Sequence, residues 1–343
     1  MSIICEDIPH SDLVAKGAYH GVDKFVWVKR TERPKDIKVA EKWCMEPLFM
    51  PIFYKEIAQR IEDFEVRSDD VWVVTYAKCG TTWTQEMVWL LMNDCDYKAA
   101  EETKLQVRFP FIEFGSILSR DLKFGDEIAR SEAMPSPRTI KTHLSAPCLP
   151  RKIWSAKPKI IYVARNAKDT AVSFYHHSVN LHHYTGTFDD FMETFLKDHV
   201  IYTPFHSHII DFWRMRNEEN ILFLTYEDMK RDHPSVIRKT AKFLGKSISD
   251  EAVQKLADYL SFSNFSKNTA VNMDKILKNI EEVFDHKMPD QKYNFVRRGV
   301  AGGFRDEMSP EWIDKFNRWT KEECKKWKCD DELKNIFLFS DKQ

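Results

Sequence analysis

Residues 71–93 read VWVVTYAKCGTTWTQEMVWLLMN. The first six, VWVVTY, are continuously apolar rather than alternating, which suits a strand buried on both faces of a parallel sheet. From Thr81 the period becomes helical, with Trp83, Met87, Leu90 and Leu91 on one stripe. Between the two lies a break holding Lys78, Gly80, Thr81 and Thr82. Three more short runs, RTIKTH (138–143), IIYVAR (160–165) and ILFLTY (221–226), alternate with helical patterns such as DTAVSFYHHSV, FDDFMETFLKDHV and HIIDFWRMR. Strands alternating with helices predict an α/β domain with crossover connections. Later helices are expected after Ser249 and Ser309 as caps. Segments 115–139 and 273–294 lack periodicity and read as loops long enough to act as lids.

Composition narrows the function. The 343 residues are 43% apolar, enough for one large core, and Lys plus Arg (52) nearly balances Asp plus Glu (53). No global basic field exists to gather nucleic acid, so an anion site must be local. The acidic N-terminus does not read as a signal peptide, and no run is long enough to span a membrane. Seven scattered cysteines without a CxxC pair fit a reducing, cytoplasmic setting rather than a disulfide or zinc framework.

A strand ending in Lys78-Cys79-Gly80-Thr81-Thr82 and running into a helix aims free helix N–H groups at whatever sits in the turn. Two hydroxyls and an ammonium make the break either an oxyanion cradle or a plain loop in which Thr81 caps the helix. A Walker loop is excluded, because that motif places Lys directly after its second Gly, whereas Lys78 precedes Gly80. The IIYVAR strand also ends in a cation. Arg165 and Ser173 suit a second phosphate, the alternative being an ion pair of Arg165 with Asp169 or Glu227. Of only ten glycines, Gly299, Gly302 and Gly303 cluster behind Arg297 and Arg298, which suits close backbone approach to a ligand.

In this order and spacing, TYAKCGTTW, KTHL, YVARNAKDTAVSFYH, LTYEDMK and FVRRGVAGGFR closely resemble the cytosolic sulfotransferases of animals, which use 3′-phosphoadenosine 5′-phosphosulfate (PAPS). The resemblance runs from about residue 47 to the C-terminal helix. It implies a single α/β domain over 47–338, a central parallel sheet flanked by helices, a P-loop-like strand–loop–helix phosphate site, and residues 1–46 as an extension partly packed on the domain. Lys78, Cys79, Gly80, Thr81 and Thr82 would form the 5′-phosphosulfate loop. Trp83 and Phe262 would stack on the two faces of adenine, with Tyr226 at its edge. Arg165, Ser173, Arg297, Arg298 and Gly299 would hold the 3′-phosphate. The family's base falls on His143 and its partner lysine on Lys141, with Lys78 relieving charge on the leaving oxygen and no metal required. Positions matching Phe111 and Phe114 line the family's acceptor pocket.

Departures from the pattern stand at Cys79, whose thiol is a weak donor, at Leu260 near adenine, and at Gly303-Phe304-Arg305. The family's dimer motif would fall on Arg305, Ser309, Pro310 and Asp314, which keep neither its Thr-Val nor its Glu, so a family-type homodimer is in doubt. An imidazole with a pKa near ~6.5 suits proton abstraction from an acceptor hydroxyl. Phe109, Phe111 and Phe114 in RFPFIEF, with His177, are expected to line a pocket for a small hydrophobic acceptor, a phenol, steroid or other lipophilic alcohol or amine. The pairs His176-His177 and His182-His183 lack acidic partners at matching spacing and are read as pocket or surface rings. Two rival readings are a P-loop small-molecule kinase, which would need a metal-binding Asp such as Asp228, and a non-catalytic nucleotide- or lipophile-binding protein, which would have lost the base or the lysines.

Overall fold

The computed structural model describes residues 2–9, 22–118, 125–182, 184–272 and 295–339. Its centre is a four-stranded sheet in the order β5-β4-β6-β7, with β4 Val71–Thr75, β5 Thr139–Thr142, β6 Lys159–Ala164 and β7 Ile221–Thr225. All three pairings are parallel, in registers such as Val71↔Thr139, Val74↔Tyr162 and Ala164↔Thr225. The four expected strands are all present. Alternate residues serve two cores. Trp72, Val74, Ile140, Ile160 and Tyr162 face one, while Val71, Val73, Ile161, Val163, Leu222 and Leu224 face the other with Met87, Leu90 and Leu91 of helix Thr81–Met92. Burial on both faces is why the runs are continuously apolar.

The chain passes from β4 to β5 on one side and re-enters at β6 on the other. The topological switch point therefore lies between β4 and β6, where open α/β sheets hold ligands beyond their carboxyl ends. At the opposite end, Arg138 clamps Asp70 with Nε and Nη2 at 2.8 and 2.6 Å, both side chains buried, which locks the entries of β4 and β5 together.

Two features go beyond expectation. The N-terminal segment contributes β1 Ile3–Asp7 and β2 Phe25–Arg30 to an antiparallel sheet with β3 Leu48–Pro51, and Val26, Val28 and Phe49 join the first core. These pairings are long-range, so no local period announces them. Segment 115–139 contains a helix, Glu127–Ala133, capped by Asp126, which accepts from Ala129 N–H at 3.0 Å. It buries only Ile128 and Ser131, too short a stripe to read from sequence. Residues 119–124 and the expected lid 273–294 lie outside the described residues. The Ser249 and Ser309 caps form as expected, accepting from Ala252 and Trp312 N–H. Among the described residues no helix is long and apolar enough to cross a membrane.

Candidate active site

The break after β4 needs two left-handed residues, Lys78 (φ 68°) and Gly80 (φ 98°). Gly80 is also sterically required, because a Cβ there would stand 2.8 Å from Cδ2 of Tyr226. Gly80 serves as N-cap of helix Thr81–Met92 without a side-chain cap, so first-turn N–H groups remain for a ligand. Thr81 is not a cap: its hydroxyl lies 2.7 Å from that of Thr75. Gly80, Thr81 and Thr82 line a cleft with about 1390 Å³ of empty space, mouth included. Cys79 does not. Its Sγ turns into the core, 3.7 Å from Thr170 Oγ1, and burial pushes the thiol up to about 12.

Arg165, past the end of β6, crosses the switch point. Its guanidinium donates to the carbonyls of Lys78 (3.2 Å) and Val300 (3.1 Å), lies over the Tyr226 ring at 4.2 Å, and keeps a buried Nε without a partner at hydrogen-bond distance among the described residues. It also stands 3.7 Å from Asp169, so the ion-pair and site readings of Arg165 coexist. Glu227 instead accepts from Asn166 N–H and Nδ2. Asp169, which sequence marked only as an ion-pair partner, accepts from Gly302 N–H at 2.7 Å and Phe304 N–H at 2.9 Å. It thereby pins the glycine-rich loop to helix Ala167–Leu181. Ser173 of that helix faces the cleft.

In the loop, Glu307 accepts from Arg297 at 2.7 Å and Arg298 at 3.2 Å and meets His176 Nε2 at 2.5 Å; Arg298 also pairs with Asp306. Although partial burial raises it, these partners hold the Glu307 carboxyl at about 2. Gly299 (φ 63°) packs against Phe262, where a Cβ would clash with the ring. Trp83 is fixed by Nε1–H donating to Leu260 O at 2.8 Å. Trp83, Tyr226, Phe262, Arg297, Arg298 and Gly299 all line the same cleft.

At its inner end, His143 follows β5. Its ring Nδ1 lies 2.8 Å from Thr75 O, and a carbonyl only accepts, so Nδ1 carries the proton and Nε2 a lone pair. Burial and then the Lys141 charge hold His143 well below the usual histidine range. Desolvation also lowers Lys141 to about 8 against the pull of Glu113, and lowers Lys78 to about 7 with help from Lys141 and Arg165. Lys141 lies over the Phe111 ring at 4.1 Å, and Lys78 over that of Phe295 at 4.6 Å. Phe111, Phe114, Phe174, Leu181, Ile201 and Phe295 make an apolar wall here, with His177 Nδ1 3.4 Å from Lys78 Nζ.

Phe109 corrects the sequence reading. It is fully buried in the second core, with Met87 and Val73, and does not line the cleft. It closes the short helix Leu105–Arg108, and only from Phe111, bridged to Lys141, does the chain run along β5 beside the cleft. Sequence reasoning also passed over Phe295, Tyr202 and Phe174 as lining residues. Phe295 opens the quoted FVRRGVAGGFR motif and was the one with a signal. His183 lies outside the described residues. Among those described, no three His, Cys, Asp or Glu converge as metal ligands would.

Two glycine-bearing loops at the switch point of a parallel sheet open into an apolar chamber that holds the imidazoles of His143, His177 and His182 and the ammonium groups of Lys78 and Lys141, an arrangement that suits a nucleotide-dependent group transferase. Residues 68–328 match the sulfotransferase domain, and the chain belongs to that family. It is 40% identical to luciferin sulfotransferase of Photinus pyralis over 290 residues, 80% of this chain and 77% of that one. It is 36% identical to sulfotransferase 1 family member D1 of Rattus norvegicus over 271 residues, 78% of this chain and 88% of the other. The fold is similar to retinol dehydratase, solved in a complex with retinol and PAP, with a TM-score of 0.79, 28% identity, and coverage of 95% and 97%. The protein is a PAPS-dependent sulfotransferase.

Proposed function

We propose that sulfuryl transfer proceeds by in-line attack of an acceptor hydroxyl, with His143 as base and Lys78 and Lys141 as the cations beside the reacting oxygens. The observation that carries it is the Nδ1–H of His143 held on Thr75 O, which leaves Nε2 as a proton acceptor in an apolar chamber. The cleft fits the nucleotide. Among the described residues the buried Nε of Arg165 has no partner, which leaves a donor for a phosphate, and Gly80 and Gly299 let the Tyr226 and Phe262 rings of the cleft wall pack directly on the backbone. Lys78, Gly80, Thr81, Thr82 and the Cys79 backbone would hold the 5′ end, Arg165, Ser173, Arg297, Arg298 and Gly299 the 3′-phosphate, and Trp83, Phe262 and Tyr226 the adenine. PAPS supplies the sulfuryl group. His143 takes the hydroxyl proton at Nε2, while the two ammonium groups offset negative charge on the reacting oxygens.

The aromatic wall suits a phenol, steroid or other lipophilic alcohol or amine, and retinol in the related structure makes an allylic alcohol a natural member of the screen. The setting is cytoplasmic, without nucleic-acid or membrane partners. The family-type homodimer is not expected, since Ser309 and Pro310 open helix Pro310–Trp327 where its motif would lie. Calorimetric titration with PAP and with ATP-Mg, followed by a PAPS-coupled screen of phenols, sterols, allylic alcohols and amines, tests the reading. Metal-free PAP binding and one accepted class support it; preference for ATP-Mg would point to the kinase, and PAP binding with no turnover to the non-catalytic reading.

A further inference from the structure

Segment 110–113 runs along edge strand β5. Lys141 N–H donates to Pro110 O at 2.9 Å and Ile112 N–H to Lys141 O at 3.1 Å, which extends the parallel ladder by one rung. At the next rung the His143 N–H meets a side chain instead, Oε1 of Glu113 at 2.6 Å. Glu113 is fully buried, with the hydroxyls of Thr142 and Tyr202 facing its carboxylate. A buried carboxyl costs free energy, and an amide would satisfy the same backbone donor. A charge at this position therefore calls for a reason beyond the hydrogen bond.

Lys141 supplies that reason. Its ammonium lies over the Phe111 ring in the cleft wall and makes no ion pair within 4.0 Å among the described residues. The other nitrogen groups around it, Lys78, His143 and His177, are cations or bases. Asp169 also borders the cleft but is committed to Gly302, Phe304 and Arg165. Glu113 is itself faced by Lys141 and His143 from β5 and its end, by Tyr54 from helix Ile52–Glu56, and by Tyr202.

We propose that Glu113 is a positioning residue for sulfuryl transfer: one carboxylate oxygen fixes the backbone of His143, and its charge keeps Lys141 protonated in the dry wall. This rests on the roles given above to His143 and Lys141. Burial raises Glu113 to about 7 and lowers Lys141 to about 8, with the Glu113 charge opposing the fall. Between those values both groups are charged. Removing the carboxylate lets Lys141 fall further and lose its proton at lower pH.

Two variants separate the roles. Glu113→Gln keeps an acceptor for His143 N–H and removes the charge; Glu113→Asp keeps the charge and shortens the reach. Lys141 ionisation is read without any acceptor, by competitive acetylation with acetic anhydride from pH 6 to 10 and peptide mass spectrometry, and PAP titration at pH 6 confirms a folded site. In Glu113→Gln the Lys141 midpoint moves down by about one unit, a ten-fold change in ionisation ratio, and the alkaline limb of kcat with PAPS and 2-naphthol moves with it. In Glu113→Asp the midpoint stays while kcat falls by up to about 10²-fold at every pH, the lower end of what a general base contributes. An unmoved Lys141 midpoint in Glu113→Gln, with PAP binding intact, overturns the inference. Failure of the wild-type protein to turn over PAPS would instead overturn the reaction assigned to the site, and the acetylation result would still decide the role of Glu113.

Discussion

His143 donates its Nδ1–H to the carbonyl of Thr75 at 2.8 Å, and Thr75 is the last residue of the strand that feeds the phosphate loop. The Thr75 hydroxyl in turn lies 2.7 Å from that of Thr81, the first residue of the helix behind the loop. The proposed base and the proposed phosphate cradle thus hang on one residue, so the distance between His143 and the loop 78–82 is set by the end of β4.

His143→Ala should lower kcat by about 10²–10⁴-fold, the usual worth of a general base. PAP affinity should stay within two-fold, because the nucleotide loops lie on the other side of Thr75. Steady-state kinetics alongside calorimetric PAP titration measures both, and undiminished kcat would remove His143 as the base.

PAP affinity should fall as pH rises through 7. Lys78 is lowered to about 7 in the free protein. A phosphate dianion favours the ammonium, so binding raises the Lys78 pKa and takes up a proton above pH 7. Up to about ten-fold of affinity is lost per pH unit in that range, the limit for one linked proton. Titration at pH 6 to 9 in buffers of different ionisation enthalpy reads the uptake directly; Lys78→Met should abolish it.

Phe109→Ala and Phe111→Ala should separate core from pocket. Phe109 fills the second core, and its truncation should cost about 3–5 kcal/mol of stability with unchanged acceptor preference. Phe111 is only partly buried and borders the cleft beneath Lys141. Its truncation should raise acceptor KM while leaving the urea midpoint comparatively unmoved. Denaturant unfolding and acceptor kinetics on both variants decide it.

Arg165→Lys should weaken PAP binding despite keeping the charge. The guanidinium reaches the Lys78 and Val300 carbonyls with two different nitrogens and keeps a third for a phosphate, a spread that the single nitrogen of a lysine cannot reproduce. A loss of about ten-fold or more in affinity is expected, the scale of one charge-assisted hydrogen bond; equal affinity in the two proteins would remove Arg165 from the site.

The sequence by itself determined the parallel sheet and the loops that follow β4 and β6, because those features are local. Burial on both faces makes VWVVTY and IIYVAR continuously apolar, and Gly80 must follow a strand directly to turn it into a helix with free N–H groups. Strand ends in an open α/β sheet all point the same way, so Lys78, His143 and Arg165, each at or just past the end of a strand, converge without further information. Only tertiary structure decided which side of the sheet each remaining residue serves. Phe109 and Phe111 stand two apart in one motif yet enter different environments, because a short helix ends between the two core faces. Cys79 turns inward onto Thr170, Asp169 reaches a loop 133 residues further along the chain, and Glu113 takes the place of a backbone carbonyl beside His143. The antiparallel sheet of β1, β2 and β3 was hidden for the same reason. Side-chain partners distant in sequence leave no period behind, and a carboxylate that caps a loop looks, in one dimension, like any other charge.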